Sequence, residues 1–446
     1  MMKRIHIFLN NSLTILMGLL LFIFISPMGN TAKVFAAGSA PQILTGLTTA
    51  GEDSVNVGIA GTYLAGQKAA LDRINEIRYE ACQKGYPDPR DESHKLTPDD
   101  YVPIKWSSEL EAYARIRAAE AVVYTEHSRP GSNVNINPDV SYTTGSAEVL
   151  AWPGGTLKGG VELWYGEKDT WVKQESGVTG HYTSMINPAN THVGLGGFLT
   201  NSSQLGSGWG GCICGRFLRN NSNSPMDETM AKKLDNVIQI ISVKKKYLSE
   251  PLLMNISESG DAVYQGDTIA YAVVRKAAFS DNSQAYVLDM NSYTYTSSAK
   301  NILAVTANGK AEALKAGKAK IKAKGSDGKT YTKTVKVKSY IKTPTLSKVM
   351  VGKKTLKASL KAANATVSYA TGFEVQVARD RKFKKSVKSS TVKPKIVNWS
   401  IVTNYSKTFK KLKSKKTYYV RVRAYIKNNG KKYYTSWSKV KKAKVK

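Results

Sequence analysis

Apolar residues in the first half of the chain recur mainly at helical intervals. Residues 68–84 have this spacing, which predicts a first helix. Ser108 and Glu111 form a capping-box pair that predicts the start of a second helix, ending near residue 128 because Pro130 disfavours helix in the residue before it. A third helix and two strands are predicted at 161–173, 191–198 and 209–217. The pattern indicates an α/β domain.

The pattern changes after about residue 240. Segments become short and alternating, rich in Val, Thr, Tyr and Lys, and turn pairs such as Asn308-Gly309 and Asp327-Gly328 separate them. This is typical of all-β sandwiches. Lysines alternate with apolar residues over 318–324, which predicts one solvated and one buried strand face.

The N-terminus has the pattern of an export signal. Lys3 and Arg4 precede an apolar run over 13–26, and Val34-Phe35-Ala36 offers small residues to a signal peptidase. We therefore predict a signal peptide at 1–36 and a secreted protein; a retained membrane anchor is the alternative. Residues 37–60 are rich in Gly, Ser, Thr and Ala and are predicted to be a spacer.

Positive charge is concentrated at the C-terminus. The 446 residues suggest about three domains, and the net charge is +33. Residues 37–243 hold 17 basic and 23 acidic residues, 244–340 hold 16 and 8, and 341–446 hold 30 and 2. A field of this size attracts polyanions. For a secreted monomer we expect an anionic cell-wall polymer or glycan as partner, with a lipid or host surface as further candidates and no nucleic acid.

The chain has three cysteines: Cys82, Cys212 and Cys214. One of the latter two could pair with Cys82, leaving an odd thiol, or all three could be buried and unpaired.

Imidazoles and carboxylates form the candidate chemistry. His127 opens His-Ser-Arg-Pro-Gly, Glu148 lies in Ala-Glu-Val-Leu-Ala-Trp, Glu167 in Trp-Tyr-Gly-Glu, and His181 in Gly-His-Tyr. Such a set could bind a divalent metal, zinc or magnesium, or carry out acid–base work on water. The spacing alone does not bring the four together, and scattered structural polar residues are the alternative. His192 is a weaker candidate, and Arg129 is expected to brace its loop.

These motifs, in this order and followed by Thr191-His192-Val193-Gly194, resemble the CAP superfamily of cysteine-rich secretory, antigen 5 and pathogenesis-related 1 proteins, in its bacterial form. The resemblance implies an α-β-α sandwich with a cleft over residues 61–225. It also implies that the family's cleft tetrad maps onto His127, Glu148, Glu167 and His181, with His127 and His181 as candidate metal ligands. Val149 replaces a common Asn and puts the polar lining of the cleft in question.

The two later segments resemble known β modules. Residues 245–339 resemble a bacterial immunoglobulin-like group 2 domain, and 343–446 a lysine-rich fibronectin type III domain, in which Tyr418 lies where a tyrosine-corner hydroxyl would bond back to the backbone. The expected fold class is therefore an α-β-α sandwich CAP domain followed by two all-β immunoglobulin-like sandwich domains.

We expect a protein that acts by binding, with a ligand in the CAP cleft and an anionic wall polymer on the basic tail. The alternative is a peptidase-like hydrolase, metal-assisted or His/Glu-dependent, using the same four residues. No cofactor is demanded by the sequence. The fold resemblance alone does not decide between these functions.

Overall fold

The computed structural model describes residues 40–45, 51–131, 146–152, 155–219, 226–257, 261–397 and 400–446. The predicted signal peptide, residues 1–36, lies outside these ranges. Within them, no helix combines the length and the apolar character needed to cross a membrane.

The first half of the chain is mixed α/β. Its elements in chain order are β1 (Gln42–Leu44), β2 (Ser54–Tyr63), α1 (Gln67–Lys84), β3 (Pro87–Asp88), β4 (Asp91–Lys95), β5 (Lys105–Trp106), α2 (Ser108–Val123), β6 (Ser146–Ala151), α3 (Leu157–Tyr165), α4 (Lys168–Val172), α5 (Gly180–Ile186), β7 (His192–Thr200), β8 (Gly211–Leu218) and β9 (Leu234–Lys244).

Helix α2 begins and ends differently from the prediction. Ser107, not Ser108, is its N-cap, and the Ser107 hydroxyl accepts a hydrogen bond from the Leu110 N–H. Glu111 is buried and accepts instead from Gln67 Nε2 and Trp106 Nε1, so the predicted capping box does not form. The helix ends at Val123, about five residues early. The residues after it are free to form the loop that carries His127.

The predicted third helix is two helices, α3 and α4, separated at Gly166 and Glu167. The break removes Glu167 from a regular helix, and its carboxylate reaches across to the first turn of α5.

Helices cover both faces of one sheet in this half. The strands run in the order β9-β2-β7-β8-β6, with β1 beside β9 and β5 beside β7. The alanine-rich side of α2 packs on one face, in a core with Phe198 and Cys214. Helices α1, α3 and α5 pack on the other, in a core with Trp106 and Leu195. The result is the predicted α-β-α sandwich.

Residues 37–60 are not a spacer as far as they are described. Strand β2 lies inside the sheet, and Val57 and Ile59 are fully buried. Strand β9, which pairs with β2 over most of its length, also lies beyond the predicted 61–225. Small residues fit here because the strand is covered on both faces: a Cβ at Gly61 would lie 2.3 Å from the Leu199 carbonyl oxygen.

The three cysteines are free and buried. Cys82 lies in the core beneath α1, whereas Cys212 and Cys214 lie in the core beneath α2. Because the sheet separates these cores, the alternative of a Cys82 disulfide is wrong and that of unpaired buried thiols is confirmed.

The second domain is a β-sandwich with strands β10 (Leu252–Asn255), β11 (Val263–Tyr264), β12 (Thr268–Ala278), β13 (Gln284–Asp289), β14 (Tyr293–Ser297), β15 (Leu303–Val305), β16 (Lys310–Ala313), β17 (Gly317–Gly325) and β18 (Thr330–Lys338). One sheet has the order β11-β18-β17-β14. The other, built on β12, continues into the first domain because β13 pairs with β2. Strand β12 is consequently apolar on both faces, with Ala272 in the core of α2 and Val273 in the sandwich core.

The third domain contains β19 (Thr345–Gly352), β20 (Thr355–Lys361), α6 (Asn364–Tyr369), β21 (Gly372–Ala378), β22 (Lys388–Val392), β23 (Ile396–Val397), β24 (Ser400–Ile401), β25 (Asn404–Phe409), β26 (Thr417–Asn428), β27 (Lys431–Tyr434) and β28 (Lys441–Lys444). Sheets β19-β20-β25 and β22-β21-β26-β27 enclose one core. The Tyr418 hydroxyl accepts a hydrogen bond from the Lys413 N–H at 3.1 Å, the expected tyrosine corner. An α-β-α domain followed by two β-sandwiches is the predicted fold class, and it is confirmed.

Candidate functional site

The site lies beside β6, the edge strand of the first domain's sheet. Two tryptophans fix this strand to the layers on either side. Trp164 in α3 donates its indole N–H to the Leu150 carbonyl at 3.1 Å, and Trp152, just after β6, donates to the Ala121 carbonyl of α2 at 3.0 Å. Strand β6 is therefore held rigidly between α2 and α3, and its Glu148 has a defined position.

The first half of the site is the pair His127 and Glu148. His127 Nδ1 lies 3.1 Å from Glu148 Oε1, and the His127 side chain is 49% exposed while that of Glu148 is 3% exposed. The carboxylate is thus a buried support for an imidazole that faces solvent. A carboxylate in this position fixes the orientation of the ring and leaves Nε2 as its other polar atom.

A buried charge network stands behind Glu148. Arg117 in α2 donates to both carboxylate oxygens of Glu148, at 2.9 and 3.1 Å, and to Glu120 at 2.8 Å. Arg216 in β8 adds a contact to Glu148 at 3.3 Å. Arg117 also donates to the backbone carbonyl of His127, at 3.1 Å. One guanidinium therefore positions both members of the pair.

Arg129 completes the network. It is buried and its guanidinium makes three hydrogen bonds of 2.6 to 3.2 Å with the carboxylate of Glu120. It braces the His127 loop against α2, as expected from its place in the sequence. Sequence reasoning missed Arg117, Glu120 and Arg216. A signal was present, because Arg117 occupies the same face of α2 as Ala114 and Ala121, where a charge needs a buried partner.

The network determines the charge of Glu148. Burial by itself raises the pKa of this carboxyl, but the hydrogen bond from His127 and the charge of Arg117 outweigh burial and lower the pKa to about 2. Glu148 is consequently ionised throughout the neutral range.

The second half of the site is His181 and Glu167. His181 Nδ1 lies 2.5 Å from Glu167 Oε1, and the backbone N–H groups of His181 and Tyr182 donate to Glu167 Oε2 at 3.0 and 3.1 Å. The side chain of His181 is 24% exposed and that of Glu167 is 16% exposed. The pair repeats the arrangement of the first, with a carboxylate holding Nδ1.

The two pairs meet across β6. His127 follows α2 on one face of the sheet and His181 is in α5 on the other, yet their ring centroids are 6.5 Å apart with the planes inclined by 25°. The structure therefore brings all four predicted residues into one cluster. It consists of two partly exposed imidazoles, each held at Nδ1 by the side chain of a glutamate.

The weaker candidate His192 lies away from this cluster, and Val149, the departure from the family pattern, does not line it. His192 is buried at the start of β7, where Nδ1 contacts the Thr191 hydroxyl at 3.0 Å, and burial together with the charge of Lys105 lowers its pKa. Val149 points to the face opposite Glu148 and is buried in the core of α3 and α5. The concern that Val149 makes the cleft less polar is therefore wrong, since adjacent strand residues face opposite sides.

The side chains of this cluster that could hold a metal are its two imidazoles. No group of three or more His, Cys, Asp or Glu side chains arranged to hold a metal occurs in the described ranges. Glu148 is paired with Arg117 and Arg216, and Glu167 with His181 Nδ1 and two backbone N–H groups. Within this cluster, the Nε2 atoms of the two histidines are therefore the candidate ligands.

A separate cavity of about 350 Å³ lies at the other end of α2. Tyr63, Arg115 and Gln239 are among its lining residues, and none of the four clustered residues lines it.

Comparison with known proteins identifies the first domain. The family model "CAP: Cysteine-rich secretory protein family" matches residues 71–205. No curated protein matches the chain significantly.

Among solved structures, domains 4 and 5 of the S-layer protein SbsC share 17% identity over 42% of this chain and 96% of theirs, with a TM-score of 0.18. Domains FN1–FN3 of chicken CNTN1 share 14% over 52% and 81%, with a TM-score of 0.20. The chicken interferon gamma receptor alpha chain shares 10% over 39% and 91%, with a TM-score of 0.19. These TM-scores are too low for the similarities to support a conclusion about this chain.

The family match covers the helices and strands that position His127, Glu148, Glu167 and His181. The chain thus contains a CAP domain of the cysteine-rich secretory protein family.

Proposed function

We propose that the chain is a secreted protein that acts by binding, with a ligand held beside β6 by His127, Glu148, Glu167 and His181. The observation that carries the proposal is the arrangement of the two histidines, which are partly exposed, 6.5 Å apart between ring centroids, and each supported by a carboxylate. Since a carboxylate takes the Nδ1–H of each ring, Nε2 is the atom that meets a ligand: it accepts from a hydroxyl or N–H group when the ring is neutral and donates to an oxygen when the ring is protonated.

The state of Glu148 favours binding over catalysis. With its pKa lowered to about 2 by His127 and Arg117 against the effect of burial, this carboxylate does not exchange protons near neutral pH. A general acid or base needs a pKa near the working pH, and Glu148 lacks it. Its contribution is electrostatic and positional.

The second candidate function is a hydrolase in which His127 or His181 activates water, directly or through a metal. The carboxylate–imidazole pairs favour this hydrolase candidate, because catalytic histidines are held by a carboxylate in the same way. H127A and H181A, with H192A as a buried control away from the cluster, separate the candidates. If the cluster acts by binding, H127A and H181A should retain less ligand than wild type. If both variants keep the biological activity of wild type, catalysis by these residues is excluded.

Zinc fits the cluster only weakly. The two imidazoles are suitable ligands for zinc and poor ones for magnesium, which prefers oxygen, and the remaining positions would fall to water or ligand. Titration calorimetry of the full chain is expected to give weak zinc binding that is lost in H127A/H181A, and no magnesium binding. Stoichiometric, tightly held zinc after purification would contradict this.

We further propose that the basic residues of 341–446 hold the protein on an anionic cell-wall polymer or glycan. The support is the excess of 30 basic over 2 acidic residues in a domain whose core is otherwise ordinary. Attraction between exposed charges is screened over about 8 Å at physiological salt and about 3 Å at 1 M. Binding of the full chain to purified cell walls should therefore fall steeply between low salt and 1 M, and salt-insensitive binding would refute the electrostatic mechanism.

A further inference from the structure

A row of four lysines runs along the outer face of the second domain. Lys318, Lys320, Lys322 and Lys324 alternate along β17 with residues buried in the sandwich core, and all four are exposed. Within the described ranges none of the four pairs with a carboxylate, whereas Lys333 on the neighbouring strand pairs with Asp261 at 2.7 Å. The row is therefore a line of uncompensated positive charge.

Hydroxyl groups flank the row on both sides. Strand β17 lies between β14 and β18. Exposed threonines of these strands stand opposite three of the four lysines, and the fourth, Lys318, stands opposite the exposed Lys336 of β18. In the sheet register, the pairs are Thr294 with Lys324 and Thr296 with Lys322 on β14, and Thr330 with Lys324, Thr332 with Lys322 and Thr334 with Lys320 on β18.

The spacing of the row defines the polymer it fits. Alternate residues of a strand are separated by about 6.6 Å along its axis. Two peptide residues contain six backbone bonds. A fully extended peptide advances about 3.3–3.6 Å per residue, that is, for every three backbone bonds. A chain of three-carbon polyols joined by phosphodiesters also has six backbone bonds from one phosphorus to the next. Its phosphates therefore recur at about 7 Å when extended, in step with alternate residues of β17.

We propose that this face binds an extended polyol-phosphate chain lying along β17, with successive phosphates on successive lysines and the flanking threonines hydrogen-bonded to phosphate and polyol oxygens. The inference rests on the proposed binding of anionic wall polymer; it adds a site on β17 of the second domain to the basic residues of 341–446 and names the chemical class and register of the polymer at that site. The lysines are closer together than the physiological Debye length of about 8 Å, so they repel one another until phosphates neutralise them.

The composition of the face favours a polyol phosphate over a single-stranded nucleic acid. A nucleic acid has the same number of backbone bonds per phosphate, but proteins that bind single strands stack the bases on aromatic side chains. The exposed residues of β17 and β18 are lysines and threonines, and the tyrosine of β18, Tyr331, is partly buried with the core-facing residues.

The test compares two double variants of the full chain that lose the same charge from the same domain. K320Q/K322Q removes the centre of the row, and K300Q/K315Q removes two exposed loop lysines outside it. The probe is a synthetic poly(glycerol phosphate) long enough to cover β17. The dissociation constant is expected to rise about 25-fold in K320Q/K322Q, since each basic residue beside an anionic surface contributes roughly a fivefold factor.

The salt dependence gives a second readout. The slope of log K against log salt should fall by about 1.4 in K320Q/K322Q, from two lost phosphate contacts at about 0.7 each. K300Q/K315Q should change affinity much less, and K320R/K322R should retain most of it. Thermal unfolding of each variant checks that the domain is folded.

The outcomes separate this inference from the proposed function. If wild type binds the probe but K320Q/K322Q and K300Q/K315Q behave alike, the row is not the site, although polyanion binding stands. If wild type shows no salt-sensitive binding to cell walls, the proposed function itself fails. If single-stranded DNA with the same number of phosphates binds the row as tightly, the assignment to a polyol phosphate is overturned.

Discussion

Replacing Glu148 with glutamine removes a buried charge from the network behind His127 and keeps the side chain's shape. The folded-state pKa of Glu148 is about 2, against an ordinary value of 4.5. At about 1.4 kcal/mol for each pKa unit, ionised Glu148 stabilises the folded chain by about 3 kcal/mol. Because the folded pKa is the lower one, this stabilisation is complete above pH 4.5 and is lost as the pH falls towards 2.

The difference in unfolding free energy between wild type and E148Q should therefore be about 3 kcal/mol at pH 7. It should decrease below pH 4.5 and disappear near pH 2. Urea denaturation followed by tryptophan fluorescence at a series of pH values measures it. The contributions of other carboxylates that titrate in this range are common to wild type and E148Q, so they cancel in the difference between the two unfolding free energies. E126Q, at an exposed position in the same loop, should change stability by less than about 0.5 kcal/mol throughout. A wild-type–E148Q gap independent of pH would refute the role assigned to the ionised carboxylate.

Three further predictions concern the rest of the fold. Ellman's reagent should titrate no thiol in the folded chain and three in denaturant, because all three cysteines are buried and free; a disulfide would leave a single thiol. W437A should lower the stability of the third domain by about 2–3 kcal/mol in urea denaturation, since Trp437 stacks between two guanidinium groups at 4.0 and 4.1 Å, and an unchanged midpoint would contradict this. I59A should destabilise the first domain by about 2–5 kcal/mol and I43A by less than about 0.5, because Ile59 is fully buried and Ile43 is 56% exposed; equal effects would mean that β2 is peripheral.

The sequence predicted the four clustered residues because their local motifs follow one another in the family's order. It did not predict how they are held. The support of Glu148 comes from Arg117 on α2 and Arg216 on β8, which are distant from it in sequence and reach it only through the packing of helix on sheet. A buried arginine in an alanine-rich helix indicates that a partner exists, but only the fold identifies which carboxylate it meets.

Composition misled the prediction at residues 37–60. Gly, Ser, Thr and Ala dominate there, and such residues are typical of linkers, yet Val57 and Ile59 alternate with small residues in a strand buried on both faces. Small side chains are needed because neighbouring groups approach closely. A Cβ at Gly58 would lie 2.6 Å from the Met290 sulfur, a contact that arises only when the second domain's sheet meets the first.

Because β13 of the second domain pairs with β2 of the first, the second domain also contacts residues that hold the candidate site in place. The loop carrying His127 begins at Tyr124, whose ring stacks on Phe279 of the second domain with centroids 4.2 Å apart. Its other end is fixed by the Lys244 N–H, which donates to the Pro130 carbonyl at 3.0 Å, and by the Ser54 hydroxyl, which donates to the Gly131 carbonyl.

These contacts come from Phe279, which directly follows β12, and from strands β9 and β2, all outside the 71–205 region that matches the family model. A chain cut to that region would lose the groups that hold both ends of the His127 loop, while keeping all four clustered residues. The position of His127 relative to His181 therefore depends on the continuous sheet that joins the first two domains, and the second domain supports the candidate site in addition to presenting its own lysine face.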